Sequence, residues 1–168
     1  MTTKTDIANR KALAQDVLTL LETRRLHVSD CFINPQVDSI LRLSLLRTDK
    51  DAYCRACAKG AFVVAAFLAH PDRKKEDVPD YGQREAIAEY TGMTNMTKGT
   101  LDKMEVAFER HRSFGGNLTA KQTQDSLRFG KRREDRQDIL TAICRNILAS
   151  KDGEFHPEKD TVEEITED

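Results

Sequence analysis

Hydrophobic residues recur along most of the chain at the three- and four-residue spacing of amphipathic helices. A first helix is predicted from Thr5 or Asp6 to about residue 24. A second begins at Asn34 and Pro35, where asparagine caps the helix and proline fits its first position. The same spacing predicts further helices at about 83–91, 100–112 and 134–150. Residues 118–130 fit a short helix or a loop.

The most apolar segment of the chain is 52–70, which has no polar side chain from Gly60 to Ala69. A helix that is apolar on all sides is usually buried at the centre of its domain. We therefore expect one central helix over 52–70, ended by Pro71. Residues 26–33 change from alternating to apolar and predict a short strand or an extended connector.

These elements predict a mainly α protein, with a single irregular domain of about six helices over residues 1–155. The lack of tryptophan and the small number of prolines and glycines favour helices that pack through aliphatic side chains. Residues 156–168 are mostly acidic, and their few apolar side chains would not offset the conformational entropy lost on ordering. We expect them to form a flexible tail.

The overall charge argues against a chain that binds nucleic acid with its whole surface. The net charge is −1 at pH 7, so any electrostatic function must be local. The longest uncharged apolar run is Gly60 to Ala69, half of the roughly 20 residues that a membrane span needs. Four cysteines and a polar N-terminus predict reduced thiols and a cytoplasmic protein without a membrane partner.

Cys54 and Cys57 form a Cys-x-x-Cys pair at the start of the predicted central helix. The favoured interpretation is that both are small hydrophobic residues at the edge of the core. Thiol–disulfide exchange is a second interpretation, but such enzymes place this motif after a strand in a β–α–β unit, which the sequence does not indicate. Structural zinc is the third, with His27 and Cys31 completing four ligands. No other cofactor is predicted.

The densest basic cluster lies at 128–136 and suggests a local surface for nucleic-acid phosphates. Its cations are Arg128, Lys131, Arg132, Arg133 and Arg136. Phe129 is the one aromatic residue nearby, and no helix-turn-helix or RNA-binding signature frames the cluster. The favoured alternative is a solvated charged connector, docked on the acidic tail.

No sequence motif for catalysis stands out. The four histidines are scattered, and no glycine-rich phosphate loop, nucleophile elbow, H-E-x-x-H or paired-carboxylate motif occurs.

Three segments resemble a family of uncharacterised small bacterial and phage proteins. They are CRACAKGAFVV (54–64), LDKMEVAFE (101–109) and DILTAICRNILASKDGEFHPE (138–158), and RKALAQDVL (10–18) also fits. The resemblance covers less than a third of the chain and leaves out the basic stretch after 117. It implies a phage or mobile-element origin and a shared helical fold, but no activity.

The leading functional hypothesis is a non-enzymatic cytoplasmic protein that binds a host or phage protein. The alternatives are nucleic-acid binding through 128–136 and a zinc- or thiol-dependent function through Cys54 and Cys57. The sequence predicts no oligomeric state.

Overall fold

The computed structural model describes residues 2–29, 39–80, 82–93, 96 and 99–160, and confirms the predicted mainly α fold. Within these residues a short pair of strands accompanies seven α-helices. The elements are α1 (Lys4–Glu22), β1 (Leu26–Val28), α2 (Ser39–Thr48), β2 (Cys54–Ala56), α3 (Ala58–Ala69), α4 (Arg84–Thr91), α5 (Thr100–Glu109), α6 (Ala120–Lys131) and α7 (Arg136–Ala149). Short 3-10 turns occupy Lys75–Asp77 and Arg112–Phe114.

Contacts within the chain group it into two compact units. One contains Met1–Gln15 and Asn95–Asp168, and the other contains Asp16–Thr94. Helix α1 contributes residues to both. The single domain over 1–155 stays a prediction.

The predicted central helix is shorter than the sequence suggested, because its first residues form a strand. Helix α3 begins at Ala58 and is buried from there to Phe67, as expected for a helix that is apolar on all sides. Residues 53–56 alternate between exposed and buried side chains, the two-residue period of a strand. Strand β2 satisfies its backbone groups by pairing with β1 instead of continuing the helix.

Strands β1 and β2 run parallel, with Leu26 opposite Cys54 and Val28 opposite Ala56. Parallel neighbours need a crossover connection, and α2 lies in it. The sequence did not indicate this β–α–β unit, in which Cys54 is the first residue of β2 and only Cys57 follows the strand. The predicted strand is confirmed at 26–28. Residues 30–33 and the predicted helix start at Asn34 lie outside the described residues.

In the unit that contains the C-terminal half of the chain, α5 is buried along almost its whole length and packs against α6 and α7. Segment 118–130, for which the sequence allowed a short helix or a loop, contains most of helix α6. This helix begins at a capping box in which the Thr119 hydroxyl accepts from the Gln122 N–H and the Gln122 side chain accepts from the Thr119 N–H. Helices α5 and α6 cross closely at Gly130, where a Cβ atom would lie 2.1 Å from the Ala107 carbonyl oxygen.

The packed chain extends beyond the predicted start of the flexible tail at 156. The Asn146 side chain donates to the carbonyls of His156 and Lys159, each at 2.9 Å, and accepts from the His156 N–H at 2.8 Å. Pro157 is buried, and the Phe155 ring packs edge-on against Phe129 at 4.9 Å. These bonds hold residues 156–159 on α7, and a flexible tail over the rest of 156–168 stays a prediction. Residues 161–168 lie outside the described residues.

Across the described ranges, no helix is both long enough and apolar enough to cross a lipid bilayer.

Candidate functional site

Both cysteines of the Cys-x-x-Cys pair are buried at the junction between β2 and α3. Cys54 lies in the strand, and Cys57 is the N-cap residue of the helix, with no side-chain cap hydrogen bond. Cys144 of α7 is also buried, and burial raises the pKa of its thiol far above the ordinary value. None of these three described cysteines is in a disulfide. Their burial fits the interpretation that they pack as small hydrophobic residues.

The structure does not bring His27 to the cysteines. His27 pairs in register with Arg55, and both side chains are exposed, whereas Cys54 on the opposite face of β2 is buried. The His27 ring lies 4.7 Å from the Tyr53 ring, and its Nε2 is 3.2 Å from the Arg24 carbonyl oxygen. Cys31, the other proposed zinc ligand, lies outside the described residues. Within the described part of the chain, no three His, Cys, Asp or Glu side chains are grouped to hold a metal ion.

The basic cluster at 128–136 is largely paired with acidic side chains of the same chain. Arg128 binds Asp125 at 2.7 Å, and Arg136 binds Glu109 at 3.2 Å. Lys131 is exposed at the end of α6. Phosphates of a nucleic acid would have to compete with these carboxylates, so fewer cations are available than the sequence suggests.

Arg132 and Arg133, the other two cations of the cluster, bind the same carboxylate, that of Asp160. The Arg132 guanidinium donates at 2.8 Å and that of Arg133 contacts the other oxygen. Burial acts to raise the pKa of Asp160, but the hydrogen bonds from Arg133 and Arg132 outweigh it and hold the pKa below its ordinary value. These two arginines thus fit the alternative interpretation, in which a charged connector docks on the acidic C-terminal segment.

A groove that the sequence analysis did not identify lies between the last turns of α1 and the end of α3. It has a volume of about 300 Å³. Its lining residues are Asp16, Thr19, Leu20, Ala65, Leu68 and Ala69. On α3 these residues follow the spacing of one helix face, and the small side chains of the two alanines leave space beside the leucines.

Among the described residues, Asp16 is the one charged side chain that lines this groove. Desolvation by the surrounding atoms raises the pKa of its carboxyl. Asp16 makes no hydrogen bond or ion pair in the described part of the chain. An acid at one edge of an apolar groove gives the surface a defined chemistry: it suits apolar side chains accompanied by a cation.

The comparisons with known proteins add no relative: no protein-family model matches the chain, and neither the curated proteins nor the solved structures contain a match. The resemblance to small bacterial and phage proteins therefore stays a prediction.

Proposed function

We propose that this protein is a non-enzymatic binding module that takes an amphipathic helix of another protein into the groove between α1 and α3. The observation that carries the proposal is Asp16, whose carboxylate lies beside an apolar groove and has no partner among the residues the structure describes. A partner that covered the groove with apolar side chains alone would desolvate this charge further. A partner with a lysine or arginine would compensate it.

The shape of the groove supports a helix as the occupant. A helix packs by placing its side-chain ridges into the groove between two neighbouring helices. Leu68 and the exposed Ala69 offer the accessible apolar contacts, while Leu20 and Ala65, which are 7% and 1% exposed, form the buried part of the lining. Leu45 and Tyr53, the large apolar side chains that stay exposed in the described ranges, belong to the same unit of the chain.

The cation of the partner helix would fix its register. The apolar contacts give affinity but tolerate sliding, whereas a lysine or arginine facing Asp16 favours one position along the groove. We therefore expect the bound helix to carry its cation one turn from its apolar anchors, which matches the one-turn separation of Asp16 and Leu20.

A cytoplasmic location and a phage or mobile-element origin remain part of this proposal. The described thiols Cys54, Cys57 and Cys144 support a reducing compartment, because none of them is in a disulfide. The resemblance at 54–64 and 138–158 supports the origin and suggests a host or phage protein as the partner.

The two alternative hypotheses have less support from the geometry. Nucleic-acid phosphates that bind at 128–136 would have to displace the carboxylates of Asp125, Asp160 and Glu109 from their arginines. A zinc- or thiol-dependent function is disfavoured because Cys54 and Cys57 are buried. His27 is exposed on the opposite face of the strand pair, away from Cys54.

The proposal is tested by selecting from a displayed library of helical peptides on the full chain, with Ala69→Arg as the blocked form. Ala69 is exposed at the end of α3, so an arginine there fills the groove without disturbing the core. We expect the wild type to enrich apolar helices with a lysine or arginine, and the Ala69→Arg variant to bind them about tenfold more weakly.

The matched control is Ala8→Arg, which adds the same side chain at an exposed position of α1 two turns before Asp16 and outside the groove lining. It should bind the selected peptides as the wild type does. Equal loss in both variants, or enrichment of peptides without a cation, would contradict the proposal. Self-association of the wild type that Ala69→Arg abolishes would also overturn it, because the occupant would then be a second copy of this chain.

A further inference from the structure

The Asp160 carboxylate lies in a site that two arginines prepare for an oxyanion. Arg133 is held in place independently of Asp160: its guanidinium lies 3.8 Å above the Phe129 ring and donates to the Phe129 carbonyl at 2.6 Å. Its other terminal nitrogen donates to Asp160, and Arg132 donates to the second carboxylate oxygen at 2.8 Å. A guanidinium fixed by stacking and a backbone bond is preorganised for its anion.

A cavity of about 340 Å³ opens beside this ion pair, along the surface of α7. This volume lies within the range of about 300–1,000 Å³ that is common for small-ligand sites. Of the residues that the structure describes, Thr141 and Asn146 line it together with four charged ones: Arg133, Arg145, Asp138 and Asp160. Arg145 is exposed and makes no hydrogen bond or ion pair in the described part of the chain.

The charges around the cavity exceed what one carboxylate needs. Arg132, Arg133 and Arg145 carry three positive charges, and Asp138 and Asp160 carry two negative ones. Without Asp160 these side chains, the ones that the structure describes around the cavity, would carry a net charge of +2. A phosphate monoester, which is close to a dianion at neutral pH, balances that charge, whereas a single carboxylate leaves a positive charge uncompensated.

We propose that this cavity binds a small molecule through a phosphate monoester group, and that the Asp160 side chain occupies the anion position in the absence of ligand. Phosphate oxygens accept from the same guanidinium nitrogens that now bind Asp160. Arg145 supplies the third cation, and the Thr141 hydroxyl is a further donor at the wall of the cavity.

The backbone next to Asp160 stays anchored when its side chain is displaced. Asn146 holds the carbonyls of His156 and Lys159, so a rotation of the Asp160 side chain breaks none of these bonds. The exchange therefore replaces one anion by another at the same two arginines, and the backbone bonds of the segment are unchanged.

The test compares the wild type with Asp160→Ala by titration calorimetry, using phosphoserine as the probe. Removing the competing carboxylate should tighten phosphoserine binding about tenfold. The matched control is Glu134→Ala, which removes an equal charge from an exposed residue nearby. If Glu134→Ala tightens binding as much as Asp160→Ala does, or if neither binds phosphoserine, the proposal is wrong.

A second variant locates the site. Arg145→Gln changes an exposed side chain, and circular dichroism can verify that the fold persists. Added to Asp160→Ala, it should weaken phosphoserine binding about tenfold. Unchanged binding would place the ligand elsewhere and overturn the proposal.

Further probes test the ligand class. Serine and acetate should bind far more weakly than phosphoserine, since each lacks the dianionic group. Binding of acetate at equal strength would contradict the phosphate assignment. A single-stranded oligonucleotide without terminal phosphates that binds more tightly than phosphoserine would instead support the nucleic-acid hypothesis.

Discussion

Asp152 is the residue that ties the turn after α7 to the chain that follows it. Its carboxylate accepts from the Glu154 N–H at 2.9 Å and contacts His156 Nε2 at 2.8 Å. Burial acts to raise the pKa of Asp152, but the bonds from the Glu154 N–H and from His156 outweigh it, so the pKa lies below its ordinary value. The carboxylate form of Asp152 thus stabilises the folded state.

The pKa of Asp152 predicts how stability responds to acid. A carboxyl whose pKa is lower in the folded state contributes stability that is complete above its unfolded pKa, about 3.9, and is lost as the pH falls through the folded pKa. The Asp152→Asn variant should therefore be less stable than the wild type near neutral pH, and its free energy of unfolding should fall less steeply below about pH 4.

Urea unfolding between about pH 6 and about pH 2.5 measures this difference in slope. Glu134→Gln is the control, since Glu134 is exposed and makes no hydrogen bond or ion pair in the described part of the chain. If Asp152→Asn and Glu134→Gln follow the same pH dependence, the bonds of Asp152 do not contribute to stability.

At the scale of elements, the crossing of α5 and α6 depends on the missing side chain of Gly130. A Cβ atom at Gly130 would lie 2.1 Å from the Ala107 carbonyl oxygen, far inside van der Waals contact. That oxygen belongs to helix backbone, so it cannot rotate away as a side chain would. The two helices would have to separate.

Gly130→Ala should therefore lower the free energy of unfolding by about 1–3 kcal/mol, the usual cost of overpacking. This loss runs against the helix propensity of alanine, which alone favours the variant by about 1 kcal/mol. Thermal and urea unfolding measure the change. Gly116→Ala is the control, because a Cβ atom there meets nothing within 4 Å. Equal stability of the two variants would contradict the close crossing.

Elements with a long apolar pattern could be predicted from the sequence, whereas the short strand β2 and the polar helix α6 could not. The apolar runs of α3 and α7 indicated both helices. Strand β2 was missed because three residues next to a strong helix carry too little pattern, although the alternation from Tyr53 to Ala56 was a signal. Helix α6 has few apolar residues, but its Thr119-x-x-Gln122 capping box could have identified it.

At the scale of the whole molecule, the two candidate sites could not be predicted, because each joins residues far apart in the chain. The groove brings Asp16 to Ala65, and the anion site brings Arg133 to Asp160. The sequence shows that α1 is amphipathic, but which part of a helix surface stays uncovered is decided by packing. The basic cluster differs: its charge and its docking on the acidic tail were expected from the sequence, whereas its pairing with Asp125 and Glu109 was not.

The most direct test of the central claim is the affinity of a selected cationic helix for the wild type, Asp16→Asn and Glu22→Gln. Asp16→Asn removes the charge at the groove, while Glu22→Gln removes an equal charge from an exposed position at the end of α1. We predict that Asp16→Asn binds about fivefold more weakly, the upper range for a solvent-exposed ion pair, and that Glu22→Gln binds as the wild type does. Equal affinity of all three proteins would show that Asp16 does not recognise the partner and would contradict the account.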